Sequence, residues 1–120
     1  MIHLKLLSEN SQSIRFAIYD TNIYVGGITV YPVDSQTAVY GILIRSACRR
    51  QGYGKAALLC LFAELKHRGF IWVRARIEAA NTASLCLHRS LEFTQTGTEM
   101  DGKILVFEHA LIFPDFPGEI

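Results

Sequence analysis

The alternation of apolar and polar residues predicts three β-strands in the N-terminal part of the chain. Two runs, Ile14 to Tyr19 and Ile23 to Tyr31, are rich in β-branched and aromatic residues. The polar segment Asp20-Thr21-Asn22 between them is typical of a hairpin turn. Pro32 interrupts the second run before a third apolar segment, Thr37 to Ile44. We therefore expect a three-stranded antiparallel meander.

The pattern changes to helical spacing after Gly52. Four apolar residues then recur at that spacing: Leu58, Leu61, Phe62 and Leu65. They predict an amphipathic helix that ends at Gly69, where a left-handed C-terminal cap belongs. The next segment, Phe70 to Glu78, alternates between apolar and polar positions. We expect it to form a fourth strand, parallel to the strand before the helix.

A second helix and a hairpin complete the predicted fold. Asn81 and Thr82 can cap a helix that ends near Leu91. Asp101-Gly102 is a strong signal for a hairpin between the last two predicted strands. This order of elements favours a single α+β domain, residues 1–120, with a central and largely antiparallel sheet.

Length, composition and charge exclude several classes of protein. The chain has 120 residues, 50% of them hydrophobic, which suffices for one buried core. Its 12 Lys and Arg balance 11 Asp and Glu, which argues against a nucleic-acid or anionic-membrane partner. The sequence shows neither a signal peptide nor a run of about 18 apolar residues. We therefore expect a soluble, cytoplasmic protein.

The three cysteines, Cys48, Cys60 and Cys86, lack the CxxC spacing of metal and redox sites. Two of them fall in predicted helices, and we expect all three to be reduced thiols with structural roles. The residues around Cys86 carry no nucleophile signature. No metal site is predicted.

A basic, glycine-containing loop stands between the third strand and the first helix. The strand residues Ile42-Leu43-Ile44 lead into the segment Arg49-Arg50-Gln51-Gly52-Tyr53-Gly54-Lys55. Unpaired N–H groups and the positive end of the helix dipole make such a helix start attractive to anions. The two glycines let phosphate oxygens approach the main chain, and the two arginines and the lysine add positive charge. The segment is a candidate phosphate site.

This loop alone is weak evidence for phosphate binding. A strand-to-helix turn with a solvated basic rim would have the same composition. The loop also lacks the GxGxxG pattern of dinucleotide sites and the GK[ST] ending of a P-loop. Neither of those nucleotide-binding classes is predicted.

The loop and a later segment together share their spacing with a known family. Arg49-x-x-Gly52-x-Gly54 matches a pyrophosphate motif with Gln or Arg first and Gly or Ala last. Five later residues fall at the spacing of a second motif, in which an asparagine opens a helix ending in Gly-Phe: Asn81, Ala83, Leu87, Leu91 and Phe93. Glu92 replaces that glycine here. In both segments the chain resembles the GNAT superfamily of acetyl-CoA-dependent N-acetyltransferases.

The resemblance covers about Ile14 to Leu111 and implies a GNAT-like fold, a mostly antiparallel sheet with flanking helices. It implies that the strands on either side of the first helix splay apart and hold the pantetheine arm of acetyl-CoA between them. The activity implied is acetyl transfer, without a metal, to a primary amine of a small molecule, peptide or protein. The cofactor-binding residues implied are Ile42, Leu43, Ile44, Arg49, Arg50, Gln51, Gly52, Tyr53, Gly54, Lys55 and Asn81.

The residues for proton transfer depart from the family pattern. Many members carry a tyrosine on the second helix that protonates the CoA thiolate, and the matching position here is His88. An imidazole with a reference pKa of about 6.5 can donate or accept a proton near neutrality. The alternative is a partly exposed His88 that only makes a hydrogen bond. Glu78 and Glu108 are candidate bases, because Thr37 to Ile44 contains no carboxylate.

The N-terminal region is short for this family. Only Met1 to Ser13 precede the first clear strand, so the family's first strand and two helices barely fit. Either the cleft is open to a protein or peptide amine, or a second subunit covers it, which would suit a homodimer. Arg74 and Arg76 share a strand face with Glu78, and either favour an acidic acceptor or belong to a solvated face. The alternative function is a non-catalytic acyl-CoA-binding module that regulates a protein partner.

Overall fold

A computed structural model describes residues 1–111, which form a seven-stranded sheet and two α-helices. The strands are β1 (Ile2–Glu9), β2 (Ile14–Asp20), β3 (Ile23–Pro32), β4 (Thr37–Ile44), β5 (Trp72–Glu78), β6 (Thr94–Glu99) and β7 (Ile104–Ala110). The helices are α1 (Tyr53–His67) and α2 (Thr82–Ser90), and a short 3₁₀ turn (Ser46–Cys48) precedes α1. The aromatic tail, Phe113 to Pro117, for which core packing is expected, lies outside the described residues.

The strand order is β1-β2-β3-β4-β5-β7-β6, and β4 pairs with β5 in parallel. The other pairings among residues 1–111 are antiparallel. Two parallel strands need a crossover connection, and α1 supplies it between β4 and β5. The structure therefore confirms the predicted α+β class, the meander, the parallel strand and the hairpin at Asp101-Gly102.

The sequence prediction lacked β1. This strand pairs with β2 along its length, from Ile2↔Asp20 to Glu9↔Ile14. Ile2 and Leu4 pack against the core while His3 and Lys5 are exposed, so the segment alternates as a strand does. The prediction that a first strand barely fits was wrong. Residues 10–13 connect β1 directly to β2, with no helix between them.

The core lies between one face of the sheet and the two helices. Tyr40 of β4 points to that face, and its ring contacts Phe62 of α1 and His88 of α2. Burying such large side chains contributes about 1.5–3 kcal/mol each. The opposite face of the sheet is open: Tyr31 is 52% exposed and Leu43 is 67% exposed. No helix of the described residues is long and apolar enough to span a membrane.

Candidate functional site

The functional site forms where two neighbouring strands separate. β4 pairs with β5 only from Thr37↔Trp72 to Tyr40↔Ala75. Beyond that point β4 continues to Ile44 and β5 continues to Glu78 without pairing to each other. Two adjoining clefts open in the resulting gap, so the splay implied by the resemblance is present.

The larger cleft has a volume of about 570 Å³ and runs from β4 to the start of α1. Nine of the predicted cofactor residues line it: Ile42, Leu43, Ile44, Arg49, Arg50, Gly52, Tyr53, Gly54 and Asn81. Gln51 and Lys55 belong to the same loop and first helical turn but are not among its lining residues. Cys48 and Ser84 also line the cleft, and no sequence signal pointed to either of them.

The loop before α1 leaves a series of backbone donors without partners. Arg50 and Gly52 have left-handed conformations, with φ angles of 62° and 78°. The first intrahelical bond runs from the Ala56 N–H to the Gly52 carbonyl oxygen, at 3.3 Å, and no side chain caps the helix. None of the N–H groups from Arg50 to Lys55 donates to another of residues 1–111. These donors and the positive helix end form an anion-binding geometry.

The two glycines of the loop have different structural roles. A Cβ atom at Gly52 would meet nothing within 4 Å, so its requirement for glycine is the positive φ angle. A Cβ atom at Gly54 would lie 3.2 Å from Cδ2 of Leu87, a residue of α2. Gly52 therefore shapes the turn, and Gly54 allows α1 and α2 to pack closely beside the larger cleft.

Two side-chain contacts hold this loop in place. Arg49 Nε donates to the Ile44 carbonyl oxygen at 3.0 Å, which brings the guanidinium to the edge of the larger cleft. The Tyr53 hydroxyl donates to Asp20 Oδ2 at 2.8 Å, which ties α1 to the β2–β3 turn. This bond raises the pKa of the Tyr53 phenol above its ordinary value.

The smaller cleft, of about 300 Å³, contains both predicted catalytic residues. Glu78 lies at the end of β5 and His88 on α2, and both line it. Three residues line this cleft and the larger one, which makes the two continuous: Ile42, Asn81 and Ser84. Asn81 caps α2 as predicted, because its side-chain oxygen accepts from the Ser84 N–H at 3.1 Å.

His88 is buried, with 1% of its surface exposed, so the alternative of a partly exposed histidine was wrong. Its Nδ1–H donates to the Ser84 carbonyl oxygen at 2.8 Å. That bond assigns the proton to Nδ1 and leaves Nε2 as an acceptor. The Tyr40 hydroxyl donates to Nε2 at 2.8 Å. Burial lowers the pKa of the His88 imidazole, which the Ser84 hydrogen bond partly offsets.

Tyr40 is the functional residue that sequence reasoning missed. It lies on β4, is 4% exposed and lines the smaller cleft beside His88. Burial raises the pKa of its phenol, so the group stays protonated. In the sequence it is one aromatic residue of an apolar strand, and only the fold brings it to His88.

Glu78 is exposed in the smaller cleft, and its side-chain carboxylate has no hydrogen-bond or ion-pair partner among residues 1–111. The other candidate base, Glu108, accepts from Arg74 Nε at 3.2 Å and lies outside both clefts. Arg76 lines the smaller cleft but forms an ion pair with Glu99, at 2.6 Å. The geometry therefore favours Glu78 over Glu108 as a base.

The potential metal ligands and the cysteines are dispersed in the described part of the chain. Among residues 1–111, no group of three or more His, Cys, Asp and Glu side chains could hold a metal ion. None of the three cysteines forms a disulfide, and the Cys60 thiol donates to the Ile2 carbonyl oxygen at 3.8 Å. Cys86 is exposed and lines neither cleft.

Comparisons with known proteins agree on one family. The model of the acetyltransferase (GNAT) family matches residues 2–93 of the chain. No curated protein matches the chain in sequence.

Solved structures share the fold at low sequence identity. A Bacillus subtilis acetyltransferase in complex with CoA has a TM-score of 0.84 at 11% identity, over 93% of this chain and 100% of that one. A GNAT family acetyltransferase from Elizabethkingia anophelis with acetyl-CoA bound has a TM-score of 0.73 at 15% identity, over 82% and 76%. A ribosomal-protein alanine N-acetyltransferase from Escherichia coli has a TM-score of 0.73 at 20% identity, over 91% and 76%. At these identities the likeness shows the fold.

Proposed function

The chain belongs to the GNAT acetyltransferase family, and on that premise we propose that it transfers the acetyl group of acetyl-CoA to a primary amine of an acceptor. The observation that carries this proposal is the larger cleft, which joins unpaired backbone donors at the start of α1 to the gap between β4 and β5. A nucleotide pyrophosphate and an extended acyl-carrying arm fit these two parts.

Acetyl-CoA binding uses mainly the backbone. The N–H groups from Arg50 to Lys55 and the positive end of α1 receive the pyrophosphate, with Arg49 adding charge at the cleft edge. The pantetheine arm lies along Ile42, Leu43 and Ile44, on the β4 edge that β5 leaves unpaired. Asn81 lies in both clefts, so the thioester reaches the acceptor side beside it.

The acceptor amine enters the smaller cleft. Glu78 attracts the cationic amine and takes its first proton, because a protonated amine with a pKa near 10 cannot attack a thioester. His88 supplies the proton that the departing CoA sulfur takes up. Both residues line the same cleft, as these roles require.

The open face of the sheet is the route by which the acceptor approaches. Arg76 and Glu78 are exposed, whereas Ala75 and Ile77 of the same strand are buried on the helix side. A groove of about 460 Å³ lies on the open face beside β4, and Tyr24, Tyr31 and Leu43 are among its lining residues. This surface suits an amine carried on a peptide or protein.

Two measurements test the proposal. Acetyl-CoA is titrated into the protein by calorimetry, and thiol release is then followed with three probes: a lysine-containing peptide, a peptide with a free α-amine and a linear diamine. We expect saturable binding and thiol release that depends on at least one amine. Binding without release for every probe would favour the non-catalytic acyl-CoA-binding module. Absence of binding would contradict the proposal.

A further inference from the structure

We propose that Tyr40 carries protons between the reacting atoms and His88, so that the two side chains act as one proton relay. The proposal rests on the acetyl transfer proposed above and adds to it the group that meets the substrate. Tyr40 comes from β4 and His88 from α2, and both line the smaller cleft.

Both ring nitrogens of His88 are engaged. Its Nδ1–H donates to the Ser84 carbonyl oxygen at 2.8 Å, with the Ser84 hydroxyl 3.4 Å from the same nitrogen, and its Nε2 accepts from the Tyr40 hydroxyl at 2.8 Å. Nε2 is the acceptor of the neutral ring, so a proton that enters the imidazole at this nitrogen passes through the phenol oxygen. That oxygen makes no other hydrogen bond within residues 1–111 and keeps capacity to accept one from a bound amine.

The surroundings keep both groups neutral in the resting enzyme. Burial raises the pKa of the Tyr40 phenol and lowers the pKa of the His88 imidazole. The charged groups that share the smaller cleft with them are Arg76 and Glu78, both from β5. His109 of β7 packs on Phe93, which also packs on His88. A neutral phenol beside a neutral imidazole acceptor is ready to receive a proton.

The relay takes the second proton from the amine nitrogen and delivers it to the departing sulfur. After the amine attacks the thioester, its nitrogen gives a proton to the Tyr40 oxygen while the Tyr40 hydroxyl proton moves to His88 Nε2. The imidazolium then donates from both nitrogens, and the Ser84 carbonyl oxygen stabilises it. As the C–S bond breaks, the proton returns by the same path to the sulfur. The products are the amide and the CoA thiol, and His88 is neutral again.

Single and double variants test whether the two residues act as one unit. We expect Tyr40→Phe and His88→Gln each to lower kcat by about 10²-fold, the lower range for general acid–base catalysis, with KM for acetyl-CoA unchanged. The double variant should be no slower than either single variant, because removing one member already breaks the relay. Tyr19→Phe is the matched control: this tyrosine is half-buried on β2 and lines neither cleft nor the groove of the open face. Amide spectra of each variant establish that it is folded.

The pH profile separates the relay from a structural role. In the wild type, kcat should fall at acidic pH, where His88 is protonated and cannot accept a proton. Tyr40→Phe should lack this limb. An unchanged kcat and profile in Tyr40→Phe, or multiplicative losses in the double variant, would overturn the relay while acetyl transfer stands. A wild type that binds acetyl-CoA but releases no thiol with any amine would overturn both proposals.

Discussion

The two clefts of the site present different kinds of chemical groups. The larger cleft lies against one continuous segment with unpaired main-chain N–H groups, Arg50 to Lys55, and four of these six residues line it. The smaller cleft presents the side chains of Tyr40, Glu78 and His88, which come from β4, β5 and α2. A backbone site depends on local conformation, whereas a side-chain site depends on how separate elements pack. Cofactor binding and turnover should therefore respond to different mutations.

The largest expected effect is at the larger cleft. A Gly52→Asp, Gly54→Asp variant places two carboxylates where the pyrophosphate is proposed to bind. We expect at least a 100-fold loss of acetyl-CoA affinity by calorimetry, equivalent to about 2.8 kcal/mol. An aspartate at the helix start is compatible with the dipole, so the loss would combine anion repulsion with the strain of a side chain at the positive φ angle of Gly52.

This experiment includes a matched control and a variant with only one of the two substitutions. Gly97→Asp adds the same side chain on β6, where a Cβ atom meets nothing within 4 Å, and should bind acetyl-CoA normally. Gly52→Asp alone avoids the Leu87 contact that a side chain at Gly54 would make. Affinity of the Gly52 variant within about threefold of the wild type would contradict the backbone site.

A substitution of His88 in the smaller cleft should lower the free energy of unfolding and leave the affinity for acetyl-CoA nearly unchanged. His88→Leu leaves the buried Tyr40 hydroxyl without its partner. Leaving such a group unsatisfied costs about 1–3 kcal/mol, which urea unfolding would measure. We expect acetyl-CoA affinity to stay within about twofold, since His88 does not line the larger cleft. His67→Leu, at an exposed histidine of α1, should have little effect on either quantity.

Glu78→Gln should lower kcat/KM for the acceptor amine without changing the affinity for acetyl-CoA. Glu78 is exposed, so losing its attraction for a cationic amine should by itself lower kcat/KM for the amine about fivefold. Losing the group that takes the first proton of the amine should lower kcat/KM further. Glu92→Gln removes the same charge outside both clefts and is the control. Equal losses in the two variants would indicate a general charge effect and would remove Glu78 from the acceptor site.

The smallest effect expected is a pH dependence of stability at the smaller cleft. Burial lowers the pKa of His88 in the folded state below its unfolded value of about 6.5. The unfolded chain then binds more protons below that pH, so the free energy of unfolding should fall as the pH decreases from about 6.5. His88→Leu should lack this component in urea unfolding across the same range. Identical slopes in both proteins would contradict the buried neutral imidazole.

The same contrast explains what the sequence could predict. The loop from Arg49 to Lys55 could be predicted as a candidate phosphate site because glycine and a helix start determine its backbone geometry locally. Most of the sheet was predicted for a similar reason, since alternation and turn residues act over short distances. β1 was missed although Ile2 and Leu4 alternate with polar residues. Its other apolar residues, Leu6 and Leu7, are adjacent and exposed, which breaks the alternation, and its pairing with β2 is what stabilises it.

The smaller cleft was only partly predictable. His88 was found through its position in a family motif, but its burial and its bonds depend on a tyrosine 48 positions away. Nothing local distinguishes Tyr40 from the other aromatic residues of the meander. Glu78 and Glu108 were both candidate bases in the sequence, and only the pairing of β5 with β7 shows that Glu108 is held by Arg74.

The central claim is that acetyl-CoA binds to the backbone at the start of α1. The most direct test is a titration of the ¹⁵N-labelled protein with acetyl-CoA, followed through backbone amide resonances. The account predicts that the largest shifts occur at Arg50 to Lys55, with Gly52 and Gly54 among them, and that smaller shifts follow at Ile42 to Ile44. Saturable binding that leaves these amides unchanged and shifts residues elsewhere would contradict it.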